Sequence, residues 1–112
     1  MSDDIQKIEL SIEEARKYVE QRDAALRLAD NRDFKKLVID GYFKDEAARL
    51  TGLLGERGEN LPFTKEMLVS DLEAIASFQR YMRQIIMQGD IMEKEIAVNS
   101  EALEIIRAEE TQ

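Results

Sequence analysis

A seam of apolar side chains, spaced alternately three and four residues apart, runs from Phe78 to Ile106. Its apolar members are Phe78, Met82, Ile85, Met92, Ile96, Leu103 and Ile106. Gly89 and Asn99 occupy the two remaining steps. Such spacing is typical of a helix that lies along another helix. The seam therefore predicts an all-α, coiled-coil-like fold for this chain of 112 residues, which we expect to form a single domain over 1–112.

A first helix is predicted over about residues 4–29 by an apolar stripe of the same spacing. The stripe begins at Ile5, ends at Ala29 and includes one charged step, Arg22. A polar residue inside such a stripe more often sets the register of two paired helices than performs chemistry. We therefore expect Arg22 to lie at a helix–helix contact.

A second helix is predicted over about residues 33–54, with Asn31 or Asp33 as its N-terminal cap. Its apolar residues change from one face to another near Gly41. Glycine weakens a helix by up to about 1 kcal/mol relative to alanine. The sequence therefore predicts a kink or a short break at Gly41, with a continuous helix as the alternative.

The third helix is predicted over about residues 64–110, with Thr64 as its cap, after a glycine-rich loop at 55–62. Its length is about that of the first two helices together. We therefore expect it to pack antiparallel against both of them, which would place Arg22 near Met92.

Two helices side by side leave much of each apolar stripe in water, and packing such stripes is what mainly stabilises helices. We therefore expect the seam to serve also as an oligomer interface, most simply in a symmetric dimer. The alternative is a compact monomer in which the third helix bends at Gly89.

The chain carries a net charge of −8, with the acidic excess near its two ends. Residues 1–30 contribute −3 and residues 85–112 contribute −5, whereas the part between them is neutral. An acidic surface disfavours nucleic acids and anionic membranes as partners. It also suits simple solubility.

The sequence lacks the residue types that most often carry catalysis and bind metals. There is no His and no Cys, which removes imidazole bases, thiol nucleophiles and the common metal ligands. Paired acids such as Glu101 and Glu104 have the spacing of solvated charges on a helix face. The glycines of the loop lack the Gly-Lys-Ser/Thr sequence of a phosphate-binding loop. We expect no enzymatic activity, no cofactor and no metal.

Two groups of residues are candidates for binding a partner. In the expected pairing, Lys35 and Lys36 approach Arg80 and Arg83, which would form a basic cluster able to meet an acidic protein or a phosphate. Ordinary salt bridges to neighbouring acids are the alternative.

The second candidate is the aromatic pair Tyr42 and Phe43, next to Gly41. Exposed aromatic side chains often anchor protein partners. Packing into the core is the alternative for this pair.

The stretch from Asp33 to Leu50, DFKKLVIDGYFKDEAARL, resembles a segment of small, uncharacterised helical proteins encoded by tailed bacteriophages. The resemblance continues loosely into the last helix at DLEAI, residues 71–75. It implies a phage or prophage source, and no activity or site residue comes with it.

These observations predict a non-enzymatic helical interaction protein, namely a phage-encoded structural or assembly accessory that acts as a homo-oligomer. The alternative is an acidic inhibitor that binds a basic surface of a host transcription or defence complex. No run of about 18 apolar residues is present, and we expect no membrane partner. We expect the protein in the host cytoplasm or in the virion.

Overall fold

The computed structural model describes residues 2–56 and 62–111, and three helices account for nearly all of these residues. The helices are α1 (Ser2–Asp30), α2 (residues 32–55) and α3 (Lys65–Glu110). The described ranges contain no strand, and α3 packs against both shorter helices. The predicted all-α architecture is therefore confirmed. The centre of the predicted loop, at 57–61, lies outside the described residues.

The helix ends follow the local capping chemistry of the sequence. The side chain of Asn31 accepts a hydrogen bond of 3.0 Å from the backbone N–H of Phe34 and so caps α2. The Thr64 hydroxyl accepts one of 3.2 Å from the N–H of Met67 and caps α3 in the same way. Both predicted caps are confirmed, with Asn31 chosen over Asp33.

The chain forms two compact units, of which the first comprises Met1–Leu26 and Gln84–Gln112. Here α1 packs on the C-terminal part of α3. Contacts of Arg22 with Asp90 and of Glu9 with Arg107 show that the two helices run antiparallel. The buried apolar side chains of this unit are Ile12, Ala15, Ala25 and Leu103.

The second unit is Arg27–Arg83, in which α2 packs antiparallel on the N-terminal part of α3. Its core consists of Leu50, Leu68 and Ile75, which are 3%, 4% and 3% exposed. Partly buried side chains pack around this core: Tyr42, Phe43, Ala47, Leu53, Leu54, Phe63 and Leu72.

Within α2, the segment Lys35–Glu46 is a π-helix between two α-helical stretches, Arg32–Phe34 and Ala47–Gly55. The helix is not broken at Gly41. A π-helix has i→i+5 hydrogen bonds, so residues four and five apart share a face. This widening accounts for the change of apolar face that the sequence shows there. A Cβ atom on Gly41 would lie 3.1 Å from the carbonyl oxygen of Lys36, five residues earlier.

Candidate interaction site

The C-terminal part of α3 presents a row of exposed apolar side chains, which we call the outer stripe. It consists of Met87, Ile91, Val98 and Ile105, which are 56%, 53%, 65% and 54% exposed. Ile91, Val98 and Ile105 follow one another at seven-residue intervals, and seven residues are almost two full turns. These three side chains therefore lie on one line along the helix.

The outer stripe lies on the side of α3 turned away from α1. Gly89 and Leu103 are buried where α1 packs on α3. Ile91 and Ile105 each follow one of these buried residues by two positions, which is about 200° around the helix. The outer stripe is therefore a separate surface and not the edge of the contact with α1.

Two charged residues lie along one flank of the outer stripe. Lys94 and Glu101 are exposed and each follows a stripe residue, Ile91 or Val98, by three positions. A shallow depression of about 470 Å³ lies at the N-terminal end of the stripe. It is lined by Gln84, Met87, Gln88, Ile91 and Met92. The surface thus combines apolar side chains with one positive and one negative charge.

On the opposite side of α3, Arg22 of α1 lies in a notch formed at Gly89. The residue Arg22 is only 8% exposed, and a Cβ atom on Gly89 would stand 2.2 Å from the Cβ of Arg22. Atoms cannot approach that closely, so the contact exists only because residue 89 has no side chain. Two small residues of α1, Ala15 and Ala25, are buried in the same unit.

The guanidinium of Arg22 leaves this notch among three carboxylates. Its Nη1 atom donates hydrogen bonds of 2.9 Å to Asp90 and 2.7 Å to Glu93, and its Nη2 atom donates one of 3.0 Å to Asp23. The hydrogen bond from Arg22 lowers the pKa of Glu93, and the three carboxylates raise the pKa of Arg22. The arrangement agrees with the prediction that Arg22 lies near Met92 at a helix–helix contact, because Asp90 and Glu93 flank that residue.

Replacing Glu93 by Gln is expected to reduce the sensitivity of the fold to acid. The folded-state pKa of Glu93 lies below its ordinary value of 4.5, so its carboxylate stabilises the fold above that pH. This contribution is lost as the pH falls through the folded-state pKa. Urea unfolding between about pH 7 and pH 3 should therefore show a shallower decline for Glu93→Gln than for the unmodified chain.

Glu95→Gln is the matched control, because Glu95 is exposed on the same helix and the change in charge is identical. Its decline with pH should follow that of the unmodified chain. Identical pH profiles for Glu93→Gln and Glu95→Gln would contradict a stabilising pair between Arg22 and Glu93.

The predicted aromatic anchor, Tyr42 and Phe43, is half-buried, and both rings contact Phe78 in the second unit, edge-on for Tyr42 and tilted for Phe43. The ring centroids of Tyr42 and Phe78 are 6.5 Å apart, and those of Phe43 and Phe78 are 5.2 Å apart. Both residues also pack against the core around Leu50. The cluster is partly open to solvent, since Phe78 is 42% exposed. A role in partner binding stays a prediction for this pair.

The predicted basic residues all lie in the second unit. Lys35, Lys36, Arg80 and Arg83 are exposed. The ammonium of Lys35 is 3.6 Å from the carboxylate of Asp30, which is an ordinary surface salt bridge. A basic binding cluster also stays a prediction.

The predicted oligomer seam lies mostly on the covered side of α3. Leu103 is 7% exposed. Met82, Ile85, Met92, Ile96 and Ile106 are half-buried. An intermolecular role for the seam is not tested by this placement. Within residues 84–110, the large apolar side chains with the greatest exposure are those of the outer stripe, and none of them belongs to the seam.

Within 2–56 and 62–111, no group of three or more Asp, Glu, His or Cys residues is placed to hold a metal ion. None of the helices in those ranges is long and apolar enough to cross a membrane.

The comparisons with known proteins identify no relative. No protein-family model matches the chain, and no curated protein and no solved structure matches it either.

Proposed function

We propose that this protein is a non-enzymatic helical interaction protein that associates with itself through the outer stripe of α3. The observation that carries the proposal is the exposure of four large apolar side chains in a row, Met87, Ile91, Val98 and Ile105. Exposed apolar side chains grouped on one face and bordered by polar residues are typical of sites of protein association. Covering them removes apolar area from water at about 25 cal/mol per Å².

The total accessible surface supports self-association. The chain exposes 8714 Å². A folded monomer of 12.9 kDa is expected to expose about 6,300 Å². The surplus exceeds the roughly 800 Å² that each partner contributes to an interface of standard size. The chain therefore has ample surface to bury in an oligomer.

Sedimentation equilibrium at micromolar concentration tests the proposal. We expect the unmodified chain to show a multiple of its 12.9 kDa mass. Val98→Glu should shift the mass toward that of the monomer, because a buried unpaired carboxylate at the centre of the interface is strongly unfavourable. Circular dichroism should show unchanged helix content, since Val98 is 65% exposed within the protomer.

Leu10→Glu is the matched control for this experiment. Leu10 is 57% exposed in the same unit but lies on α1, and it undergoes the same kind of change from an apolar to an acidic side chain. Its mass should equal that of the unmodified chain. A monomeric unmodified chain, or equal loss of mass in both variants, would refute association through the outer stripe.

Within this function we propose that the protein is a phage-encoded structural or assembly accessory. The support is the resemblance of residues 33–50 to phage-encoded helical proteins, together with a sequence that lacks His and Cys. Purified particles and assembly intermediates should contain the protein, measurable by quantitative mass spectrometry. Its absence from both would count against this role.

A second candidate function, an acidic inhibitor of a host protein, is favoured by the location of the charge. The first unit, Met1–Leu26 and Gln84–Gln112, contains 14 acids and 6 bases, whereas Arg27–Arg83 contains 10 of each. The whole net charge of −8 therefore belongs to one unit. A concentrated acidic surface attracts basic partners with a strong dependence on ionic strength.

A purified host complex with a basic surface, such as a transcription complex, tests this candidate directly. Its activity should fall on addition of the protein, and the inhibition should weaken steeply as salt is raised. Inhibition that does not change with salt would remove the electrostatic basis of this candidate.

A further inference from the structure

The charges within the outer stripe define how two copies would pair, if the proposed self-association is correct. Val98 is the middle residue of the line formed with Ile91 and Ile105, and each of those is seven residues from it. Because the line is symmetric about Val98, a second copy can pack on it in two ways: antiparallel, with a twofold axis that crosses the helices at Val98, or parallel, with a twofold axis along the helices. Both arrangements bring apolar side chains of the line together.

The antiparallel arrangement also matches the charges. Lys94 lies four residues before Val98 and Glu101 lies three residues after it. When the second copy runs in the opposite direction, its Glu101 lies beside Lys94 of the first copy, with an offset of about one residue along the helices. Both residues lie on the same flank of the stripe, and an antiparallel twofold axis brings equivalent flanks together. Each dimer would thus contain two such pairs of opposite charge.

The parallel arrangement forms no pair of opposite charge. It places Lys94 at the level of Lys94 of the second copy, and Glu101 at the level of Glu101. In a parallel pair these equivalent residues lie on opposite flanks, and each has only a like charge at its level, so this arrangement lacks the two attractive pairs of the antiparallel one. The apolar line is compatible with either orientation, whereas the charges favour the antiparallel one.

We propose that two copies of this chain pair antiparallel through the outer stripes of their α3 helices, with Val98 on the twofold axis. Ile91 of each copy then packs against Ile105 of the other. Lys94 of each copy pairs with Glu101 of the other. This deepens the proposed self-association by assigning the symmetry and the contacts of the interface.

Cysteine crosslinking tests the orientation without background, because the chain contains no Cys. Ile91→Cys and Ile105→Cys are prepared as single variants. A disulfide requires Cα atoms about 4.4–6.8 Å apart. On mild oxidation, a mixture of the two variants should give a covalent dimer on a non-reducing gel, whereas either variant alone should not. Ile91→Cys that crosslinks with itself would overturn the antiparallel pairing.

A charge exchange provides an independent measurement. Lys94→Glu should weaken the dimer about tenfold, because it turns two attractive pairs into two repulsive ones. The double variant with Glu101→Lys should recover the original dissociation constant. Lys17→Glu, an equal change of charge at an exposed position of α1, should weaken the dimer much less.

The outcomes separate this inference from the function on which it rests. The first possible outcome is that Val98→Glu shifts the mass to that of the monomer, while the exchange of Lys94 and Glu101 leaves the dissociation constant unchanged. That result would support self-association through the outer stripe and overturn the antiparallel pairing. If the unmodified chain is monomeric, both the self-association and the antiparallel pairing are overturned. The outer stripe would then have to bind a partner of another kind.

Discussion

Alanine in place of Gly89 is expected to destabilise the fold by about 1–3 kcal/mol. The Cβ atom of that alanine would lie 2.2 Å from the Cβ of Arg22 and 2.9 Å from its Cγ. Because a Cβ atom is fixed to its own backbone, Arg22 cannot move it away by changing rotamer. The two helices would have to separate locally, which would open the contact that buries Arg22.

The intrinsic preference of a helix acts in the opposite direction at this position. Alanine is more favourable than glycine inside a helix by about 1 kcal/mol. Gly52→Ala isolates that preference, because nothing lies within 4 Å of a Cβ atom on Gly52 and the residue is exposed in α2. We expect Gly52→Ala to gain stability of up to about 1 kcal/mol in urea or guanidinium unfolding. Equal gains at both glycines would contradict the close approach at Gly89.

A double-mutant cycle identifies the clashing atom. Arg22→Ala keeps the Cβ atom and should leave the cost of Gly89→Ala in place. Arg22→Gly removes that atom, so Gly89→Ala should cost less in its presence. A cost of Gly89→Ala that does not depend on residue 22 would assign the effect to some other neighbour.

Leu50→Ala is expected to destabilise the second unit by about 2–5 kcal/mol. Leu50 is 3% exposed and packs with Leu68 and Ile75 at the centre of that unit. Removal of its side-chain carbons loses the free energy gained by burying them. It also leaves a cavity that the surrounding helices fill only in part. A small unit has few other buried side chains to compensate.

The matched control is Leu37→Ala on the same helix. Leu37 is 68% exposed, so the same chemical change should alter stability by no more than about 0.5 kcal/mol. Denaturant unfolding of both variants, followed by circular dichroism, measures the difference. Similar losses for Leu37 and Leu50 would contradict the placement of the core.

The pairing of the helices could be predicted from the sequence because two physical signals agree. Apolar spacing defines which side of each helix is buried, and helix lengths define which segments can lie side by side. Together they placed Arg22 near Met92, and the structure joins Arg22 to Asp90 and Glu93 around that residue. The caps Asn31 and Thr64 were predictable because a side-chain oxygen at the start of a helix accepts a hydrogen bond from a free backbone N–H of the first turn.

The π-helix and the outer stripe could not be predicted in the same way. Apolar spacing near Gly41 is compatible with a kink, a break or a wider helix, and only the hydrogen bonds distinguish them. Ile91 and Ile105 each precede a seam residue, Met92 or Ile106. Neighbours in sequence differ by about 100° around a helix, so the position of α1 decides which of them is covered.

The notch at Gly89 limits how the first unit can respond to a partner. Some helical proteins transmit signals when one helix ratchets past another by a turn. Here a one-turn shift of α1 along α3 would set Arg22 against Ile85 or Glu93, which carry side chains where Gly89 has none. It would also separate the guanidinium from at least one of its carboxylates. The notch at Gly89 therefore fixes the register of α1 on α3, and a shift by one turn would require the two helices to move apart.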